Sequence, residues 1–518
     1  IRQVTDFLEK NQDKHYKLLT TPEGFTKIKE AMQAVDIDMY AECFILFDEC
    51  EKLVQDVHYR DSIREPMNDF FRFRDKALIS ATPIVPEKDN RFDGFTRVLI
   101  QPDYAYQQKL KLITTNNVLA TLQEVIEAKR GTVCIFCNSI DSIDSFYRLI
   151  PELNNACTFC SEDGQYKLWK GNRRKKSIMI TELERYNFFT SRFYSAVDIV
   201  CKTPPHVILI SDLYGATQSV IDPATEAIQI IGRFRGGVNT VTHIASIRPD
   251  LECMSANEID SWIEGAASIF NGWKKQLART SNIGERTLLQ EAIGENSYLP
   301  YLDANGKPDP FLIANLYEKE QVKRLYTSAD LLCNAYQQTD YFAFSHEERL
   351  MPVSDNERMA IQHRLAKKKR AQLIVHKLEE MEKMSRATDK KLQKRYQRML
   401  GNLITTTTDR YLYDCFCRFG GDFIRESDYN ENKLRTALNV SSEHTIKQSG
   451  QMKISIQRTF PIDSELSVQE AKSMLKQVYK KMGLNPERGI TTKELEQYAE
   501  VEKGWKHDNR TIKILKFK

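Results

Sequence analysis

The 518 residues carry 75 Lys or Arg against 71 Asp or Glu, a net charge of +4, and are 41% hydrophobic and 28% charged. That balance excludes an acidic or basic disordered chain and leaves enough apolar sequence for several cores, about three or four domains at this length. No apolar run of about 18 residues offers a membrane span, and Ile1 opens no signal-peptide pattern, so a cytoplasmic chain with further sequence before Ile1 is expected.

KLLTT at 17–21 starts an alternation of short apolar runs and amphipathic stretches that continues to THIASI at 242–247. Runs without polar alternation fit strands buried on both faces of a helix-covered parallel sheet. Strand ends are predicted at Thr20, Phe47, Ser80, Asn138, Ser191 and Ser211, where small or polar residues would face a ligand. A seam in IQPDYAYQQKLKLITTNN, 100–117, separates two tandem α/β units, 1–105 and 106–252. Residues 253–355 read as helices with one hairpin, SYLPYLDANGKPDPFLI, turning at Asn305 and Gly306. Residues 356–400 read as a basic helix or helical pair, with 13 Lys or Arg against four Asp or Glu between Arg364 and Arg398. Residues 401–518 read as a small α+β module ending in a capped helix and a basic strand, compatible with a winged-helix-like fold.

Chemistry concentrates at three places. AECFILFDECEKLV, 41–54, ends a strand in acid: Asp48 could hold Mg²⁺ and Glu49 could take a proton from water, or both could begin a helix. ALISATPI, 77–84, puts Ser80 and Thr82 at a second strand end, within reach of those acids, or as a cap. IQIIGRFRGG, 228–237, carries Arg233 and Arg235, cations for a phosphoryl group or part of an ordinary loop. Cys134, Cys137, Cys157 and Cys160 have zinc-like spacing, yet in strands residues three apart point to opposite faces, so buried thiols are expected. Lys367, Lys368, Lys369 and Arg370 could follow a phosphate backbone or form a solvated face.

These stretches resemble DExH-type helicases of superfamily two, which have two RecA-like domains. DECE at 48–51 matches motif II, SAT at 80–82 motif III and VCIFCNS at 133–139 motif IV. FFTSRFYSAVDI at 188–199 matches motif V and QIIGRFRGG at 229–237 motif VI. Within that group the chain is similar to helicase-like proteins of bacteriophages and mobile elements of gut bacteria. The resemblance, specific over about 1–250, implies two tandem RecA-like domains, a mostly helical C-terminal region, and Mg-ATP hydrolysis driving movement along nucleic acid, with DNA favoured over RNA. It implies that Asp48 binds Mg²⁺, that Glu49 activates water, and that Gln229, Gly232, Arg233 and Arg235, with Asp198, Ser80 and Thr82, serve the nucleotide. Thr21, Pro22, Thr190 and Ser191 would touch a nucleic-acid backbone; Lys367, Lys368 and Arg370 lie beyond the resemblance and are candidates for such contact on their charge alone. The implied setting is the cytoplasm of a bacterial or phage-infected host cell, with no membrane partner.

Three departures mark the match. Residues 1–518 hold no glycine-rich G-x4-G-K-[ST] loop, motif V has Ser195 and Ala196 where an acid and glycine are common, and Arg235 comes one residue early. A nucleic-acid or protein-binding scaffold without hydrolysis, and a double-strand translocase, are the alternative functions.

Overall fold

The acidic stretch forms a strand because Phe44, Ile45, Leu46 and Phe47 are apolar, mostly of high β-propensity, and stand between polar turns, whereas DKALI downstream is held as a strand by pairing with it. These are β1 (Phe44–Asp48) and β2 (Asp75–Ile79), paired in parallel with Asp48 opposite Ile79. The computed structural model describes all residues except 12–13, 170–174, 181, 196, 304, 360, 362–365, 388–408, 486–489 and 507–508. Its chain contacts divide into two units, Ile1–Asn356 and Glu357–Lys518.

The first unit is α/β. Its main sheet uses β3 (Gln108–Thr115), β4 (Val133–Cys137), β5 (Cys157–Phe159), β6 (Lys175–Ser177), β7 (Tyr186–Phe189), β8 (His206–Ser211), β9 (Thr240–Ser246) and β10 (Phe342–Arg349). Their order is β10-β3-β9-β8-β4-β7-β5-β6, eight strands with every neighbouring pair parallel. Parallel neighbours require crossovers, which the helices Val118–Glu127 and Ile140–Leu149 supply. Each starts on a side-chain cap: Asn117 accepts from the Ala120 N–H (2.9 Å) and Ser139 from the Ser142 N–H (3.1 Å).

Burial on both faces follows from alternation within the strands. Leu110, Leu112, Phe136, Leu209 and Val241 enter one core, while Ile113, Ile135, Ile208, Ile210 and Ile244 enter the other. The four spaced cysteines obey the same period, with Cys134 and Cys157 on the first side and Cys137 and Cys160 on the second. Each buried Ile or Leu here contributes about 1.5–3 kcal/mol of transfer free energy.

Five sequence expectations need correction. KLLTT is not a strand; its residues lie outside regular structure, and Leu19 is exposed because it has no strand to pair with. β1 is not buried on both faces, since among the described residues it pairs with β2 alone and Phe44 (62% exposed) and Leu46 (52%) face outward. The seam at 100–117 contains β3, and 253–355 is not purely helical, because β10 pairs with β3 there. The hairpin of 297–313 contracts to one bridge, Leu302 with Pro308, around a turn in which Gly306 adopts φ +73°. Pro310 instead begins a helix to Leu325, capped by Asp309.

That helix joins the parts of the first unit. At its start Phe311 and Leu312 pack with Leu53, Val54, Ile63 and Phe70, and Asp309 pairs with Arg64. At its end Val322 and Tyr326 enter the main core, and the Tyr326 hydroxyl donates to the Ile221 carbonyl (2.6 Å). Beside Tyr326, Ser211, His243 and Tyr336 form a buried hydrogen-bonded row, with His243 between Ser211 (3.0 Å) and Tyr336 (2.7 Å). Burial pushes the His243 pKa down to about 3, so the ring is neutral.

The second unit is helical, with one small sheet. The helices Lys367–Ala387, Arg410–Glu426 and Glu431–Lys447 precede a module built on Gly450–Thr459 and Val468–Lys481. In that module β11 (Glu465–Ser467), β12 (Ala499–Lys506) and β13 (Asn509–Phe517) pair antiparallel in the order β11-β13-β12. Among the described residues, no helix is long and apolar enough to cross a membrane.

Candidate functional site

The acidic end of β1 meets the helix Glu226–Gly232, which follows β8 in the chain. Asp48 is the last residue of β1 and is exposed; its Oδ1 accepts from the Glu49 N–H at 2.9 Å. Glu49 has φ +52°, a left-handed conformation that costs a non-glycine residue about 1–2 kcal/mol. The Arg233 guanidinium, 14% exposed, lies 4.0 Å from the Glu49 carboxylate and donates through Nε to the Gln229 carbonyl at 3.0 Å.

Gln229 ties the two sides together. Its Nε2 donates to Glu51 Oε1 and to Thr82 Oγ1, each at 2.8 Å, and its Oε1 accepts from Lys52 Nζ at 3.2 Å. Both amide hydrogens and the oxygen are therefore used, which fixes the orientation of the amide. All four residues are buried. Burial raises the Glu51 pKa, opposed by the Ser80 hydroxyl and by Lys52. Ser80 also accepts from the Thr82 N–H at 2.8 Å, so it shapes the turn that delivers Thr82.

A second layer supports this row. Gln55 donates to Thr225 Oγ1 (3.1 Å) and Glu318 Oε1 (3.2 Å), and Asn315 donates to the Val54 carbonyl (2.8 Å). Burial raises Glu226 to about 8 and Glu318 to about 7, with Asp222 adding to both shifts. Near neutral pH these acids therefore hold protons for much of the time, which lets them approach one another.

Asp48, Glu49, Ser80, Thr82, Gln229, Gly232 and Arg233 thus gather at one junction. Arg235 does not join them: its Nε donates to Asp198 Oδ1 at 3.0 Å, and both side chains are largely exposed. Thr190 and Ser191 stand at the carboxyl end of β7, where the Thr190 N–H donates to the Phe159 carbonyl (3.1 Å). Thr21 and Pro22 begin a turn whose Glu23 accepts from Arg60 (2.8 Å) and Ser62 (2.9 Å). Ala196 and 388–400 lie outside the described residues. In the second unit Lys367 pairs with Glu431, Lys368 with Asp428 (2.7 Å) and Arg370 with Asp409 (3.1 Å), so these cations neutralise neighbouring helices. Sequence reasoning gave Glu51 and Lys52 no role. Their signal is present, two charges inside the apolar turn formed by Cys50, Leu53 and Val54.

The fit to Mg²⁺ and a phosphate group can be judged from these donors. Asp48 offers a hard, accessible carboxylate of the sort Mg²⁺ takes once or twice while keeping several waters. Among the described residues no group of three or more His, Cys, Asp or Glu could form an all-protein metal cage. Arg233 supplies a partly buried cation beside the acids, suited to a terminal phosphate. No protein-family model matches the chain, and no curated protein matches it.

Proposed function

We propose that the protein is an Mg-ATP-dependent helicase or translocase acting on nucleic acid, built on two RecA-like domains whose junction is the site described above. The observation that carries this reading is the Gln229 side chain, which joins Glu51 and Thr82 on one side to its own helix on the other. A side chain in that position couples the acidic strand end to the arginine helix, as work driven by phosphoryl transfer requires. The left-handed Glu49 supports it further, since backbone strain kept at a polar strand end suggests function.

Asp48 would hold the metal, which when bound neutralises phosphate charge and orients the terminal group. Glu49 would accept a proton from water, Arg233 would steady the charge that develops, and Gln229 would report occupancy to both sides. The binding scaffold is the second reading, favoured by the missing G-x4-G-K-[ST] sequence in 1–518. Phosphate release from ATP by the full-length gene product, with Mg²⁺ and with or without single-stranded nucleic acid, separates the two. Turnover that nucleic acid stimulates supports the motor, and binding of nucleic acid without any turnover supports the scaffold. Strand-displacement assays then divide helicase from translocase.

A further inference from the structure

The hairpin β12–β13 extends past the core on which it is built. Val501, Ile512 and Ile514 pack with Leu475, Val478 and Tyr479 of the preceding helix. Beyond Ile512 the register continues through Gly504 opposite Thr511, Trp505 opposite Arg510 and Lys506 opposite Asn509. Trp505 is 68% exposed, and the Arg510 guanidinium lies 5.2 Å from the centre of its ring. Such an indole contributes little burial to the fold. Arg510 makes no ion pair among the described residues, unlike Lys503 (Glu496), Lys506 (Glu465) and Lys513 (Asp463). From Ala499 to Lys518, six Lys or Arg stand against three Asp or Glu.

We infer that this hairpin binds single-stranded nucleic acid, stacking a base on Trp505 while Arg510 meets a phosphate. The flat indole with a guanidinium beside it matches a base and its phosphate, a pairing that tolerates any sequence. An acidic peptide would satisfy the guanidinium but offers no planar partner to the indole. A continuous duplex hides its base faces, so an unpaired strand is the partner that exposes what Trp505 can cover. The inference rests on nucleic acid being the partner, as proposed above, but not on ATP turnover.

The test measures binding of fluorescently labelled oligothymidylate and of a blunt duplex to the full-length gene product, comparing wild type, Trp505→Ala, Trp505→Phe and Arg510→Ala. Trp505→Ala should weaken oligothymidylate binding about tenfold, and Trp505→Phe should retain most of the affinity. Arg510→Ala should lower the slope of log K against log salt by about 0.7. Circular dichroism and melting temperature should match wild type in each variant, because Trp505 is exposed. Wild-type affinity in both Trp505→Ala and Arg510→Ala overturns the hairpin's role and leaves the nucleic-acid reading standing. A loss confined to the duplex overturns the choice of single strand. Failure of the wild type to bind either nucleic acid overturns both readings.

Discussion

FILFD at 44–48 and VCIFC at 133–137 are strands of equal length and similar apolarity, both parallel to their neighbours, yet they have opposite surroundings. All five residues of β4 are buried, whereas β1 alternates between exposed and half-buried. The cause lies in the neighbours: β4 sits between β7 and β8 with a core on each side, while β1 pairs with β2 alone. The difference bears on the site, since the less covered strand carries the acids and the fully covered sheet anchors the helix that meets them. A polar junction of this kind needs one rigid side and one accessible side.

The comparison can be tested by mutation, starting with the arginines. Arg233→Ala should reduce ATP turnover by on the order of 10³- to 10⁵-fold, the usual effect of a cation at a phosphoryl group. Arg235→Ala should cost far less, because Arg235 is paired with Asp198 on the surface. Equal losses measured by steady-state kinetics would remove the distinction between them. Next in size, Ile208→Ala in β8, buried in the main sheet, should cost about 2–5 kcal/mol in denaturant unfolding. Leu46→Ala on the open face of β1 should change stability by less than about 0.5 kcal/mol. Similar costs at both positions would mean that β1 is covered in solution.

Buried groups on the covered side add a pH dependence. His243 has an ordinary pKa of 6.5 and a folded value of about 3, so the unfolded chain binds its proton more readily between them. Stability therefore falls with acid below pH 6.5, by about 1.4 kcal/mol per unit from this group. Glu226 runs the other way, from an ordinary 4.5 to about 8 in the fold, so its contribution falls as pH rises between those values. Glu318, raised to about 7, slopes the same way as Glu226, so the two acids outweigh His243 between 4.5 and 6.5 and stability declines from 4.5 towards 8, while below 4.5 the His243 slope alone remains. In chemical unfolding across pH, Glu226→Gln should make the decline above pH 6.5 shallower, and His243→Asn should remove the decline below pH 4.5. A decline that persists unchanged in its own variant would assign it to other groups.

Central strands of the main sheet such as β4 and β8 could be read from the sequence because they are short, apolar and followed by polar residues, at Asn138 and Ser211–Asp212. The pairing of β10 with β3 could not: FAFSHEER carries four charged or imidazole side chains, and its partner strand lies over 200 residues earlier. Edge strands tolerate such polarity, so their sequence signal is weak. At the site, Asp48 and Glu49 were legible as strand-end acids, whereas 228–237 read as a loop and the structure places Gln229 in a helix with Arg233 at its end. The bonds of Glu51 and Lys52 depend on long-range packing against Gln229, which local pattern does not encode.

The most direct test of the central claim compares Mg-ATP turnover, stimulated by nucleic acid, in full-length wild type and Glu49→Gln. The substitution keeps shape and removes the base, so turnover should fall by about 10²- to 10⁴-fold while ATP still binds. Undiminished turnover in Glu49→Gln would contradict the assignment of this junction as the site of hydrolysis.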